Sequence, residues 1–192
     1  IAVTYPTAWL LKHKIMHVMV EREKSRQLTG RVEIDDAYLG GEVHGGKPGR
    51  GSPNKVPFVA AVQTTEAGHP VLICLSPRPF TKKSLKEFAE QSLAAPATLV
   101  SDGLGCFKAV RGSAILHEPH VSGGGAASVR NPSFIAVNTV LGNIKTSTSG
   151  TYHSFEFAKY ARPYLGQIQY LFNRRFVLRS ILRRLARSAF LT

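Results

Sequence analysis

The 192-residue chain is 43% hydrophobic and 19% charged, which excludes a disordered protein and leaves length for one domain with a real core. No apolar run approaches the roughly 20 residues that cross a bilayer, and the opening residues carry no signal-peptide cleavage site, so a reduced, cytoplasmic protein with no membrane partner is expected. Lys and Arg number 25 against 12 Asp and Glu, a formal charge of +13 and a pI near 10.1, which favours a polyanionic partner, nucleic acid first.

The chain starts at Ile1 rather than Met, so an N-terminal piece is expected to precede it. Residues 4–24 repeat Trp9, Leu10, His13, Met16, Met19 and Val20 at helical spacing, with Thr4 and Thr7 as caps. "VEIDDAYLGGE" then alternates Val32 and Ile34 and closes on Gly40-Gly41, as a strand does. The loop 43–55, "VHGGKPGRGSPNK", sets Lys47, Arg50 and Lys55 among Gly, Pro and Ser. It lacks the GK[ST] ending of a phosphate-binding P-loop.

Strands are expected over 56–65 and 69–76, then a helix over 81–95 with Leu85, Phe88, Ala89 and Leu93 on one face. "ATLVSDGL" reads as a short buried strand ending at Asp102, "GCFKAV" as a brief helix and "SAILHEPHV" as another strand. A glycine-rich loop leads into a helix containing "FIAVNTVLGNIK" (134–145), and the remainder from Ser154 is helical with a break near Pro163. Cys74 and Cys106 match neither a CxxC nor a zinc spacing and read as packed thiols. There is no internal repeat. An N-terminal helix, three meandering strands, then alternating helices and strands make an α/β chain. The order is that of a ribonuclease H-like mixed five-stranded sheet flanked by helices, although other mixed sheets share it.

Three polar residues fall on this framework together. Asp35 is in the first strand, Asp102 ends the fourth, and Asn138 begins the helix after the fifth. Strand ends and a crossing helix converge at the carboxyl edge of such sheets. Two carboxylates and an amide oxygen are hard ligands that suit Mg²⁺ or Mn²⁺ rather than zinc, and a pair of ions there would clamp the oxygens of a phosphodiester. Lys145 follows Asn138 by seven positions, two helical turns on nearly the same face, where an ammonium can meet a phosphate. Asp36 is expected to point away from Asp35 across the strand, and Glu33, one pleat back, to sit behind the site or on the surface. His117 in "LHEPH" is expected at the site's edge. Tyr152 and His153 in "GTYH" either contact DNA or cap a turn. Arg174, Arg175, Arg179, Arg183, Arg184 and Arg187 form a basic helix suited to phosphate contact.

From "YPTAWLLKHKIM" onward the chain resembles bacterial insertion-sequence transposases of the DDE superfamily, in the branch that replaces the last Glu by Asn. "VEIDDAYLGGE" is similar to the first-aspartate strand, "LVSDGL" to the second, "FIAVNTVLGNIKTSTSGTYH" to the third-ligand helix and "YLFNRRF" to the closing helix. The 35 residues between Asp102 and Asn138 also resemble the superfamily's spacing. The resemblance implies DNA strand cleavage and strand transfer with two Mg²⁺ or Mn²⁺ ions, held by Asp35, Asp102 and Asn138. It implies a phosphate contact from Lys145, and the basic charge extends such contacts to Lys47, Arg50, Lys55, Arg174 and Arg175. It also implies transposon ends and target DNA as partners, a homo-oligomer on DNA, and a bacterial, nucleoid-associated location. Residues 1–30 would end a DNA-binding region, 31–176 would be the catalytic domain, and 177–192 a basic helical tail. Two departures stand out: no zinc ribbon precedes "TAW", and Gln167 replaces a common acidic residue. They keep open a second reading, an inactive transposase-derived DNA-binding protein.

Overall fold

The computed structural model describes residues 2–40, 52, 54–110, 115–121, 131–152 and 155–189. In chain order these form α1 (Tyr5–Glu23), β1 (Leu28–Leu39), β2 (Val56–Thr64), β3 (Pro70–Pro77), α2 (Lys82–Ser92), β4 (Leu93–Ser101) and β5 (Ile115–Pro119), then α3 (Ile135–Thr151), α4 (Phe157–Phe172) and α5 (Arg179–Ala189). Short 3-10 turns at Phe107–Val110 and Pro132–Phe134 precede β5 and α3.

The five strands lie in the order β3-β2-β1-β4-β5. The first three form an antiparallel meander, while β4 and β5 run parallel to β1. This is the ribonuclease H-like arrangement, with β1 at its centre. Because successive strand residues face opposite sides, β1 feeds two cores. Val32 and Ile34 pack with Val59, Leu99, Leu85 and Phe88 on the α2 side. Ala37 and Leu39 pack with Phe58, Val100, Val137 and Leu165 on the α3 and α4 side.

The structure moves three of the expected boundaries. β1 starts at Leu28 rather than Val32, because fully buried Leu28 pairs with Leu93, and Gly30 (φ 64°) accommodates the register shift between Leu28 and Gly30. The boundary drawn at residue 30 therefore falls inside a strand. The helix expected to reach residue 95 stops at Ser92, where Leu93 turns to extended backbone and joins the sheet ahead of Pro96. The break expected near Pro163 is absent. α4 runs through Pro163 to Phe172 and ends with Asn173 as its C-cap instead. There the Asn173 amide accepts from Ile73 N (2.8 Å) and donates to Ile73 O (3.0 Å), clasping the edge of β3.

Helix α1 belongs to the same body. Gly166 of α4 lies against Val20, and buried Glu23 accepts from Asn173 Nδ2 (2.8 Å) and Gln169 Nε2 (3.5 Å). Among the described residues, no helix is long and apolar enough to cross a membrane.

Candidate active site

Asp35 lies on the central strand, one position past Ile34, which faces Ser101 in the last register pair of β1 with β4. Asp102 follows Ser101 directly, so both aspartates stand where the two strands part company. Carboxylate oxygens of Asp35, Asp36 and Asp102 all lie within 4.8 Å of one another. The inclusion of Asp36 corrects the expectation that it points away. β4 stops at Ser101, so beyond it β1 keeps only β2 as a neighbour, and on the side that β4 leaves open side chains from both faces can bend to one point. Asp35 does bend, its Oδ1 accepting from Asp36 N at 2.8 Å.

The turn after β4 is held firmly. Asp102 Oδ1 accepts from Leu104 N (2.9 Å), and Gly103 sits at φ 85°, where a Cβ would come within 2.8 Å of Val121 Cγ2. Ser101 Oγ accepts from Gly103 N (3.2 Å) and bonds His117 Nε2 (2.9 Å). His117 is buried in β5, opposite Leu99 in register. It braces the Asp102 turn from beneath rather than lining an open edge. Cys106, just beyond the turn, is buried; burial raises its thiol pKa, and the fields of Asp36 and Asp102 push the same way, so it stays a protonated packing group.

Helix α3 is tied to the same strand face. Arg31, Glu33 and Asp35 alternate along one face of β1. Glu33 is 1% exposed, and its Oε2 accepts from Val137 N (2.9 Å) in the first turn of α3, while its Oε1 pairs with Arg31 (2.5 Å). Arg31 Nη2 in turn donates to Ser133 O (3.1 Å), immediately before the helix. Asn138, half-buried, is the residue after Val137. The role of Glu33 as the anchor of α3 was not foreseen. The signal was available: three charged residues at alternate positions of a strand otherwise buried on both faces need partners.

Lys145 is exposed on α3 beside a cleft of about 270 Å³ that Ala37, Phe58, Ile144 and Phe157 also line. Lys55 is half-buried just before β2; Lys47, Arg50 and His153 lie outside the described residues. Tyr152 donates to Gln167 Oε1 (2.9 Å), and Lys12 stands 4.3 Å over its ring. Two expected phosphate contacts are overturned. Arg174 is 8% exposed, paired with Glu23 and stacked 3.6 Å from the Tyr170 ring. Arg175 spends its guanidinium on the carbonyls of Pro70 (2.5 Å), Val71 (3.1 Å) and Phe172 (2.8 Å). Both lock the end of α4 to α1 and β3. Arg179, Arg183 and Arg184 on α5 are exposed.

An all-oxygen, anionic donor set at a strand end fits a hard divalent cation such as Mg²⁺ or Mn²⁺ and not a thiophilic one. Residues 27–173 match the family model of the ISXO2-like transposase domain, a DDE transposase family. The chain belongs to that family. No curated protein matches it. Among solved structures it is similar to the Mos1 transposase paired-end complex with left transposon end, at 9% identity and a TM-score of 0.30, over 93% of this chain and 61% of that one. The chain thus spans less than two thirds of that transposase's length. Within the ISXO2-like domain, the family match covers β1, the carboxylate cluster, α3 and α4, while α5 lies beyond it.

Proposed function

We propose that this transposase domain cuts a phosphodiester at the end of an insertion sequence and joins the freed 3′-hydroxyl to target DNA. The observation that carries the reading is the meeting of Asp35, Asp36 and Asp102 where β4 ends beside the central strand. Two Mg²⁺ or Mn²⁺ ions bound there would supply Lewis-acid polarisation of the phosphodiester and a lowered pKa for the attacking water. Asp35 and Asp102 would be the principal ligands, and Asn138 would add an amide oxygen from the helix that Glu33 anchors. Asp36 brings the negative charge that the neutral Asn138 does not. Lys145, two turns along α3, holds the strand by a phosphate, and the chain acts as a homo-oligomer bridging the element's ends.

A DNA-binding protein without catalysis is the second reading, favoured by the neutral side chains of Asn138 and Gln167, the latter already engaged by Tyr152. One experiment separates the two. A duplex carrying the inverted repeats that flank the reading frame is incubated with the chain and Mg²⁺ or Mn²⁺, and nicking is followed on denaturing gels. Asp35→Ala and Asp102→Ala are expected to abolish nicking while DNA affinity is kept or raised, since a negative charge near phosphate is removed. Mn²⁺ should raise the melting temperature of the wild type and not of Asp35→Ala. Binding without nicking by the wild type, with no Mn²⁺ response, would establish the second reading.

A further inference from the structure

On the far side of β3, a cleft of about 650 Å³ opens between α1, β3, α2 and α4. Four cations line it, Lys24, Arg26, Arg78 and Arg162. Among the described residues its one lining carboxylate is Glu23, which is committed to Arg26 (2.8 Å) and Arg174. The exposed Glu21 reaches only the mouth, 3.6 Å from Lys24 and 3.9 Å from Arg162.

Arg78 is the unusual member. It is half-buried, stacked 5.1 Å over Phe88, with Nε donating to Ser76 Oγ (2.9 Å) and Nη1 to Ser84 O (2.6 Å). Glu87 exerts a favourable field on it, yet no carboxylate among the described residues forms an ion pair with it. A guanidinium carries five N–H donors in a rigid fork. Here two atoms are fixed by neutral acceptors, which aims the fork and leaves Nη2 with no acceptor among the described residues. Burying a charge without a counter-ion is costly, and burial depresses the Arg78 pKa accordingly. A pre-aimed cation that lines a basic cleft, with no ion-paired carboxylate among the described residues, calls for an oxyanion.

We propose that this cleft is a second DNA-backbone site, in which Arg78 receives a phosphodiester while Lys24 and Arg162 flank it at the mouth. The proposal rests on DNA being the substrate, as argued above. Its position suits that role. Asp36 faces Val59 and Val59 faces Ser76 across the sheet, two steps of about 4.8 Å each. Arg78 lies two residues further, at the same carboxyl edge as the carboxylate cluster. A strand leaving the cluster thus meets Arg78 after roughly 12 Å, about three to four nucleotides of rise. The cleft's volume of about 650 Å³ favours a backbone segment over a small free anion. Contacts of this kind hold register and do not read sequence.

The test is DNA affinity against salt, by fluorescence anisotropy with a labelled duplex, beside calorimetric titration of inorganic phosphate. Arg78→Gln is expected to weaken binding about tenfold or more and to make the salt slope shallower by about 0.9, one phosphate's worth. Arg78→Lys should recover part of the affinity. The double variant Lys24→Gln/Arg162→Gln alters exposed side chains only and should weaken binding at an unchanged melting temperature, so it decides the matter if Arg78→Gln unfolds. Wild-type binding and slope in both the folded Arg78→Gln protein and the double variant would overturn the site. So would tight uptake of inorganic phosphate that Arg78→Gln abolishes while DNA affinity stays unchanged, which would make the cleft a free-anion pocket. A wild-type chain that binds no duplex would overturn the functional reading itself, and this site with it.

Discussion

Glu33 shows how one residue can control a site it does not enter. Its carboxylate is removed from water, so it requires partners, and it finds two: Arg31 beside it on the strand, and the Val137 N–H in the first turn of α3. A negative charge at a helix N-terminus is favourable in itself, since the orphan N–H groups there carry partial positive charge. The pairing also sets the height of α3 over β1, and with it the position of Asn138 relative to Asp35. Glu33→Ala is expected to cost about 2–4 kcal/mol, because it strands Arg31 and uncaps the helix together. The check is urea denaturation, read as a lower midpoint at unchanged slope. A loss under about 0.5 kcal/mol would mean that water replaces the carboxylate without penalty and that α3 is held by its apolar face alone.

At the scale of elements, the α1–α4 contact binds the two ends of the chain together. Gly166 permits it: a Cβ there would lie 2.3 Å from Val20 Cγ2 and 3.4 Å from Val20 Cα. In an isolated helix, Gly→Ala is worth about 1 kcal/mol of stabilisation, but overpacking against a stiff β-branched residue costs roughly 1–3 kcal/mol. Gly166→Ala should therefore lower the melting temperature, and Val20→Ala in the same chain should restore part of the loss. Thermal unfolding of the two single variants and the double variant measures that coupling. Simple additivity would show that the helices do not approach so closely. The same helix closes the edge of β3. Gln169 Oε1 accepts from Leu75 N (2.8 Å) and Asn173 clasps Ile73, so two side-chain amides stand where another chain's strand would otherwise add.

For the whole molecule, the formal charge of +13 falls on the surface, since the buried acids are offset by the arginines they pair with. Two of its few acidic residues, Glu23 and Glu33, are buried and committed to internal arginines. Exposed cations include Lys145 on α3, Arg162 on α4, and Arg179, Arg183 and Arg184 on α5. Such a surface repels itself at low ionic strength and is relieved by screening or by a polyanion. The melting temperature should rise as salt is raised from about 10 mM to about 150 mM, where the Debye length shrinks from about 30 Å to about 8 Å. Duplex DNA should raise it further at low salt, by binding the folded chain. Scanning fluorimetry across both series tests this. Melting that ignores both additions would show that the basic residues are neutralised within the fold.

The order of the elements and the strands beside which Asp35 and Asp102 lie were legible in the sequence by itself. Each depends on a local period: alternate residues of a strand share a face, and an apolar repeat of 3.6 marks a helix. Asp102 follows the last residue of β4, and Asp35 lies beside that point on the neighbouring β1, so their meeting follows once the strand order is known. What the sequence could not decide were the commitments of side chains whose partners lie far along the chain. Arg174 looked like one of a row of solvated arginines, but it pairs with Glu23, 151 positions away. Asn173, 100 positions from Ile73, ends the helix that Pro163 did not. Asp36 joins its neighbour only because β4 stops at Ser101 and leaves that side of β1 open. Period fixes which way a side chain leaves the backbone, but a long or terminal side chain goes where the tertiary structure puts a partner or leaves a gap.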